Sequence, residues 1–248
     1  VHYALKANSN ARLLQEISSS GLGAGCVSGN EIKKAVDCGF DPAQIVFAGV
    51  GKTDNEINLG LDLNIFSFNV ESLHELKVLN ELAKAKKKVA RVALRINPNI
   101  DANTHSYITT GLEENKFGIE EDQFLKILGI LPDLSFIDFI GVHFHIGSQI
   151  SDMNVYQNLC YKINEIQRKI EKKGFVIEHI NVGGGLGVDY KNPDKNKHAS
   201  FSEYFNVFSS HLEIRRNQKI HFELGRSIVA QFGSLVTRVL YLKESGEK

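Results

Sequence analysis

The sequence predicts a (β/α)8 barrel, the TIM-barrel class of α/β fold, followed by the opening of a second, mostly β domain. Three observations lead there. Eight short strand-like runs alternate with segments of helical periodicity over about 225 residues, the size of one such barrel. Several of those runs carry polar residues on one face and apolar residues on the other. Glycine clusters follow the seventh and eighth runs, where barrels of this class bind phosphate. An open doubly wound sheet would instead need one glycine-rich turn after its first strand, and the sequence has none there.

The strands are expected at VHYALK (1–6), GAGCVS (23–28), QIVFAG (44–49), IFSFN (65–69), RVALRIN (91–97), FIGVHFHIG (139–147), HINVGG (179–184) and KIHFELG (219–225). Between them, ARLLQEISSS, GNEIKKAVDCG, VESLHELKVLNELAKAKKK and NVYQNLCYKINEIQRKIEKKG place apolar residues at helical spacing. Gly39 and Gly174 close two of these segments as helix C-termini. Two long connections, 97–119 and 186–200, follow the fifth and seventh strands, and long loops at the C-terminal mouth of a barrel carry function. After Arg226, SIVAQFGSLVTRVLYLKES alternates like a strand. The expected division is therefore a barrel over 1–233 and the start of a β domain over 234–248, with the barrel's own lead-in missing before Val1.

Composition narrows the partners. Hydrophobic residues make up 42% of the 248, and acidic and basic residues balance at 29 each. That balance gives no general affinity for nucleic acid or an anionic membrane. The basic run Lys84–Lys88 suits a helix C-terminus. No signal peptide or membrane span is legible. Cys26, Cys38 and Cys160 have no paired spacing, which argues for reduced thiols, a cytoplasmic location and no structural zinc.

Strand alternation assigns faces. His2, Ala4 and Lys6 oppose Val1, Tyr3 and Leu5. Arg91, Ala93, Arg95 and Asn97 oppose Val92, Leu94 and Ile96. His143, His145 and Gly147 oppose Val142, Phe144 and Ile146, and His221, Glu223 and Gly225 oppose Ile220, Phe222 and Leu224. The polar faces belong inside the barrel, so Lys6, Arg95, His143, His145 and Glu223 converge on its C-terminal mouth.

VGGGLG (182–187) and ELGRS (223–227) add a phosphate cradle to that mouth. A lysine, a phosphate cradle, a flat histidine and a carboxylate together suit pyridoxal 5'-phosphate. In that reading Lys6 is the Schiff-base lysine, His145 stacks on the ring, and Glu223 meets the pyridine nitrogen. Gly184, Gly185, Gly225 and Arg226 hold the phosphate. Two other readings compete. His143-Phe144-His145 resembles the histidine pair of a metal-dependent hydrolase, although the remaining ligands of such a site are missing. A non-enzymatic carrier of the cofactor would also keep the lysine and the cradle.

YALKAN, RINPNIDANTHSYITTGLEENKFGI, GVHFHIGSQ, NVGGGLG and FELGR occur in this order along nearly the whole chain. With them the chain resembles the barrel domain of the diaminopimelate decarboxylases. These belong to the fold type III pyridoxal phosphate-dependent decarboxylases, together with the ornithine decarboxylases and, more distantly, alanine racemases. THSYITTG followed by ENKFG points to the diaminopimelate branch. The resemblance implies decarboxylation of meso-diaminopimelate to L-lysine, with decarboxylation of ornithine, arginine or carboxynorspermidine as the alternative. It implies that Lys6, His145 and Glu223 are catalytic and that Ser148 helps bind the cofactor. Arg226 is expected at both the phosphate and the substrate carboxylate. Arg95 counts with the cofactor-binding residues and His143 supports them, while Lys116 is a weaker candidate. Gly25 stands where the family carries Asp, and Leu224 where it carries Pro. The family's C-terminal β domain supplies a protonating cysteine across a homodimer interface. These 248 residues alone are accordingly expected to turn over little or no substrate.

Overall fold

The computed structural model describes residues 1–100, 117–196, 198–244 and 246. Nine parallel strands form one sheet in the order β8-β7-β6-β5-β4-β3-β2-β1-β9. They are β1 His2–Ala4, β2 Gly23–Cys26, β3 Ile45–Phe47, β4 Ser67–Val70, β5 Ala90–Arg95, β6 Ile137–His143, β7 His179–Asn181, β8 Lys219–His221 and β9 Glu223–Leu224. The helices of the described residues are α1 Ala11–Ser19, α2 Gly29–Asp37, α3 Asp54–Leu63, α4 Leu73–Ala85, α5 Glu121–Ile130, α6 Met153–Lys172, α7 Phe201–His211 and α8 Arg226–Val229.

The expected eighth strand is divided. Its first part pairs with β7 and its second with β1. A tilted barrel strand changes neighbour along its length, and this change closes the barrel. Only Phe222 separates the two parts, and its carbonyl accepts the His2 N–H at 2.7 Å while the His221 carbonyl accepts the Val182 N–H at 3.0 Å.

The predicted apolar faces hold except at Val1, which is exposed, and at Ile220 and Phe222, which are half-buried. Tyr3, Leu5, Val92, Leu94, Ile96, Val142, Phe144, Ile146 and Leu224 all lie in the apolar core. Helix starts follow from local chemistry. Ser28 and Ser72 cap α2 and α4 by accepting the N–H groups of Glu31 and Glu75, and Thr53 and Glu56 form a reciprocal capping box on α3.

Most strands are shorter than the sequence reading has them, and three differences bear on the site and the tail. β1 ends at Ala4, and Lys6 sits in a 3-10 turn over Leu5–Ala7. β6 ends at His143, so His145 lies on the connection beyond it, although the Phe144 N–H still reaches the Asn181 carbonyl at 2.8 Å. The stretch after Gly225 opens as α8 and a 3-10 turn, Ala230–Phe232, and 233–244 pairs with no strand. An alternating pattern becomes a strand only where a partner edge receives its hydrogen bonds. Within that stretch Leu235, Val236, Tyr241 and Leu242 are exposed.

The floor of the barrel is a row of histidines. Arg91 Nη2 lies 3.5 Å from His179 Nε2, His179 Nδ1 lies 2.9 Å from His221 Nε2, and His221 Nδ1 lies 2.9 Å from His2 Nε2. His2 Nδ1 completes the row on the Gln44 carbonyl at 3.0 Å. A guanidinium only donates and a carbonyl only accepts, so all three rings are neutral, with the proton on Nδ1. Phe66 packs against His2, His179 and His221. Burial lowers the pKa of all three, and for His221, with His2 and His179 adding to it, to about 3.

Candidate active site

Two adjoining cavities open at the C-terminal mouth, of about 220 Å3 and about 550 Å3. Ala4, Lys6, His145 and Glu223 line both. Each of these comes from β1, β9 or the segment just beyond a strand end, so barrel closure is what brings residues 6, 145 and 223 together.

Lys6 is exposed to this space because the 3-10 turn lifts it off the sheet, while Leu5 beside it is fully buried and anchors the turn. Glu223 stands at the barrel axis. Its Oε1 accepts the Asn69 amide at 3.1 Å and the Asn181 amide at 2.9 Å, and its Oε2 lies 3.3 Å from His143 Nε2. Burial pushes this carboxyl up, but His143 and the Asn181 amide outweigh it and hold the group well below the usual carboxylate range. Burial, followed by the positive charges of Arg95 and Lys6, lowers His145 to about 3. Its ring is therefore neutral at physiological pH and presents a flat, uncharged face.

The smaller cavity is backed by an ion pair. Arg95 Nη1 donates to Glu71 Oε1 at 2.9 Å, both side chains are buried, and the Gly49 N–H reaches the same oxygen at 3.1 Å. The Arg95 guanidinium also lies over the Phe117 ring. Lys52, in turn, donates to Glu75 and to the Gly49 and Asn69 carbonyls, which ties the loops after β3 and β4. Cys26 lines this cavity too, and burial, then Glu31 and Glu223, push its thiol far up.

The larger cavity collects the phosphate candidates Ser148, Gly185, Gly225 and Arg226. Arg226 Nη2 donates to Ser148 Oγ at 3.3 Å and Nη1 to Tyr190 Oη at 3.1 Å. A Cβ on Gly225 would stand 3.0 Å from the β-carbons of Ala4 and Ala7, so the cradle keeps its shape only with glycine there. Gly184 carries a packing constraint. It lines neither cavity, and a Cβ there would fall 2.0 Å from the Glu223 carbonyl. It is the point where the glycine loop packs on β9. Lys116 lies outside the described residues.

Asn69, Glu71, Asn181 and Tyr190 escaped the sequence reading. The signal for Asn69 and Asn181 was the alternation itself, since each shares a strand face with a polar residue two places earlier, Ser67 and His179.

The residues fit a flat, phosphorylated pyridine. A half-buried carboxylate with one oxygen already taking two donors shares its cavities with an exposed lysine and a neutral ring, and a glycine and arginine cradle adjoins them. Residues 1–230 match the family model described as the pyridoxal-dependent decarboxylase, pyridoxal binding domain. The chain belongs to this family. A diaminopimelate decarboxylase of Bacteroides thetaiotaomicron is 53% identical over 248 residues, covering 100% of this chain and 64% of the relative. One from Helicobacter pylori J99 is 43% identical over 246 residues, covering 99% and 60%. A crystal structure of diaminopimelate decarboxylase from Helicobacter pylori complexed with L-lysine superposes with a TM-score of 0.81 at 40% identity, covering 92% of this chain and 57% of that one. The chain thus spans less than two thirds of these relatives. The cofactor of its family is pyridoxal phosphate.

Proposed function

We propose that this chain is the cofactor-binding barrel of an enzyme that decarboxylates meso-diaminopimelate to L-lysine. The observation that carries the reading is the shared wall of the two cavities, where Lys6, His145 and Glu223 meet. The 53% and 43% identities to diaminopimelate decarboxylases support the substrate.

Bound pyridoxal phosphate supplies an electron sink for the pair released when the bond from Cα to the carboxylate breaks. Lys6 would provide the amine that holds the cofactor aldehyde. Glu223, kept anionic, holds a proton on the pyridine nitrogen and so keeps the ring electron-poor. His145, kept neutral, covers a ring face and excludes water without adding a charge. Ser148, Gly185, Gly225 and Arg226 bind the phosphate, and Arg226 also reaches toward a substrate carboxylate.

The smaller cavity, with Arg95 and Glu71 at its back, suits the polar remainder of an amino-acid substrate. Burial keeps the Cys26 thiol protonated, and the family resemblance assigns protonation of the product to a cysteine of a C-terminal β domain outside these residues. This chain alone therefore turns over little or no substrate, and the whole protein acts as a cytoplasmic homodimer. The three cysteines, all buried and free, agree with a reducing compartment.

The test is CO2 release by the full-length protein from meso-diaminopimelate, ornithine and arginine. Diaminopimelate is expected to be preferred by a factor of about 100 or more in kcat/KM, as for a site built to pair a polar substrate group. Equal or better use of ornithine or arginine would overturn the substrate assignment and leave the cofactor site standing.

A further inference from the structure

We propose that Asn181 is a positioning residue that couples the two ends of the cofactor site, aiming the Glu223 carboxylate at one end and fixing the entry of the glycine loop at the other. The inference rests on the reading of this pocket as a pyridoxal phosphate site.

Asn181 is buried at the C-terminal end of β7. Its Oδ1 accepts the Gly183 N–H at 2.9 Å. A backbone N–H can only donate, so the amide has one allowed orientation, with Nδ2 toward Glu223. Nδ2 then donates to Oε1 at 2.9 Å, and Asn69, from β4 on another wall of the barrel, donates to the same oxygen at 3.1 Å. Two donors from different strands hold that oxygen, and the carboxylate cannot turn about its last torsion without losing both. Oε2, 3.3 Å from His143 Nε2, is thereby held in a fixed position.

The other arm is as constrained. Gly183 has φ +72°, and a Cβ there would lie 2.2 Å from the Phe144 carbonyl, so the loop entry has no slack. Its own carbonyl accepts the Glu223 N–H at 2.7 Å. One short side chain therefore joins the pyridine end to the loop that reaches Gly185 and the phosphate end. Aspartate could keep the Gly183 bond but, as the anion, not donate to Glu223, and where the two carboxyls share a proton Glu223 is no longer a full carboxylate; alanine keeps neither.

That difference separates the two arms. Equilibrium binding of pyridoxal and of pyridoxal phosphate is read by imine absorbance in wild type, Asn181→Asp, Asn181→Ala, Glu223→Gln and Asn181→Asp/Glu223→Gln. Asn181→Asp is expected to weaken both ligands alike, by about tenfold or more, as loss of a bond to a charged group does. It should also show a protonated carboxyl in the infrared at pH 7, because two carboxylates at this spacing share a proton. Asn181→Ala should weaken pyridoxal phosphate more than pyridoxal, by about threefold or more beyond the Asp variant, through the loop arm.

Against Glu223→Gln, Asn181→Asp should cost less than it does in the wild type, since the Gln amide then donates to the new carboxylate, while the Asn69 amide loses its acceptor. The same pair should recover any thermal stability lost in Asn181→Asp, which separates positioning from misfolding. Binding of both ligands by Asn181→Asp within about twofold of wild type overturns the proposal, as does an equal loss in the Gln background. If wild type binds neither ligand, it is the cofactor reading that fails.

Discussion

Lowering the pH from 7.5 to 5 should destabilise this barrel through its histidine floor, well before its carboxylates titrate. In the fold, His2, His179 and His221 are neutral, each donating from Nδ1, with Arg91 at one end of the row and the Gln44 carbonyl at the other. A proton added to any ring sets two donors against each other. The pKa of His221 is about 3 in the fold and starts from an unfolded value of 6.5. Above 6.5 neither state takes up a proton at this ring and its contribution is complete. As the pH falls below 6.5 the unfolded chain binds a proton that the folded one refuses, and stability is lost until about pH 3. For His221 alone the loss at pH 5 is about 2 kcal/mol. His2 and His179 are lowered as well and act in the same direction, which sets an upper bound of about 6 kcal/mol for the row.

The assay is urea unfolding followed by circular dichroism at several pH values between 7.5 and 5. The control is His221→Phe, which keeps a ring beside Phe66, 5.0 Å between centroids in the wild type, but breaks the row. The variant should be less stable at pH 7.5 by about 1–3 kcal/mol, because His2 Nε2 and His179 Nδ1 lose their partner. Its dependence on pH should fall to less than about half that of the wild type. A wild-type loss below about 1 kcal/mol, or an undiminished dependence in the variant, would refute the tautomer assignment.

Glu71→Ala leaves the buried Arg95 guanidinium and the Gly49 N–H without their shared acceptor, and should cost about 3–5 kcal/mol in urea unfolding. Gly184→Ala forces a methyl against the Glu223 carbonyl and should cost about 3 kcal/mol, with loss of pyridoxal phosphate binding as β9 shifts. Gly129→Ala, on an exposed turn of α5 where a Cβ meets nothing within 4 Å, should instead raise the unfolding free energy by up to about 1 kcal/mol.

The parts of the site that were legible in the sequence are those where one polar residue interrupts an apolar strand. His143 and Glu223 break the expected filling of a barrel interior, so their inward aim follows from alternation, whereas Lys6 and His145 lie just past their strands and reach the mouth by the turn and connection that follow. Asn69 and Asn181 obey the same alternation, but their strands are only four and three residues long, and asparagine reads equally well as a turn residue. The histidine floor was out of reach because residues 2, 179 and 221 meet only through barrel closure. The change of partner at Phe222 comes from strand tilt, a property of the closed sheet and not of the local sequence. The tail after Gly225 carries an alternating pattern, and, among the described residues, 233–244 pairs with no strand.

The central claim is that Lys6 is the attachment point of pyridoxal phosphate. Borohydride reduction of the protein with the cofactor, followed by peptide mass mapping, tests it most directly. The account predicts one pyridoxyl group, on Lys6, and its loss in Lys6→Ala. A label on another lysine, such as the buried and fully paired Lys52, or no label at all, would contradict it.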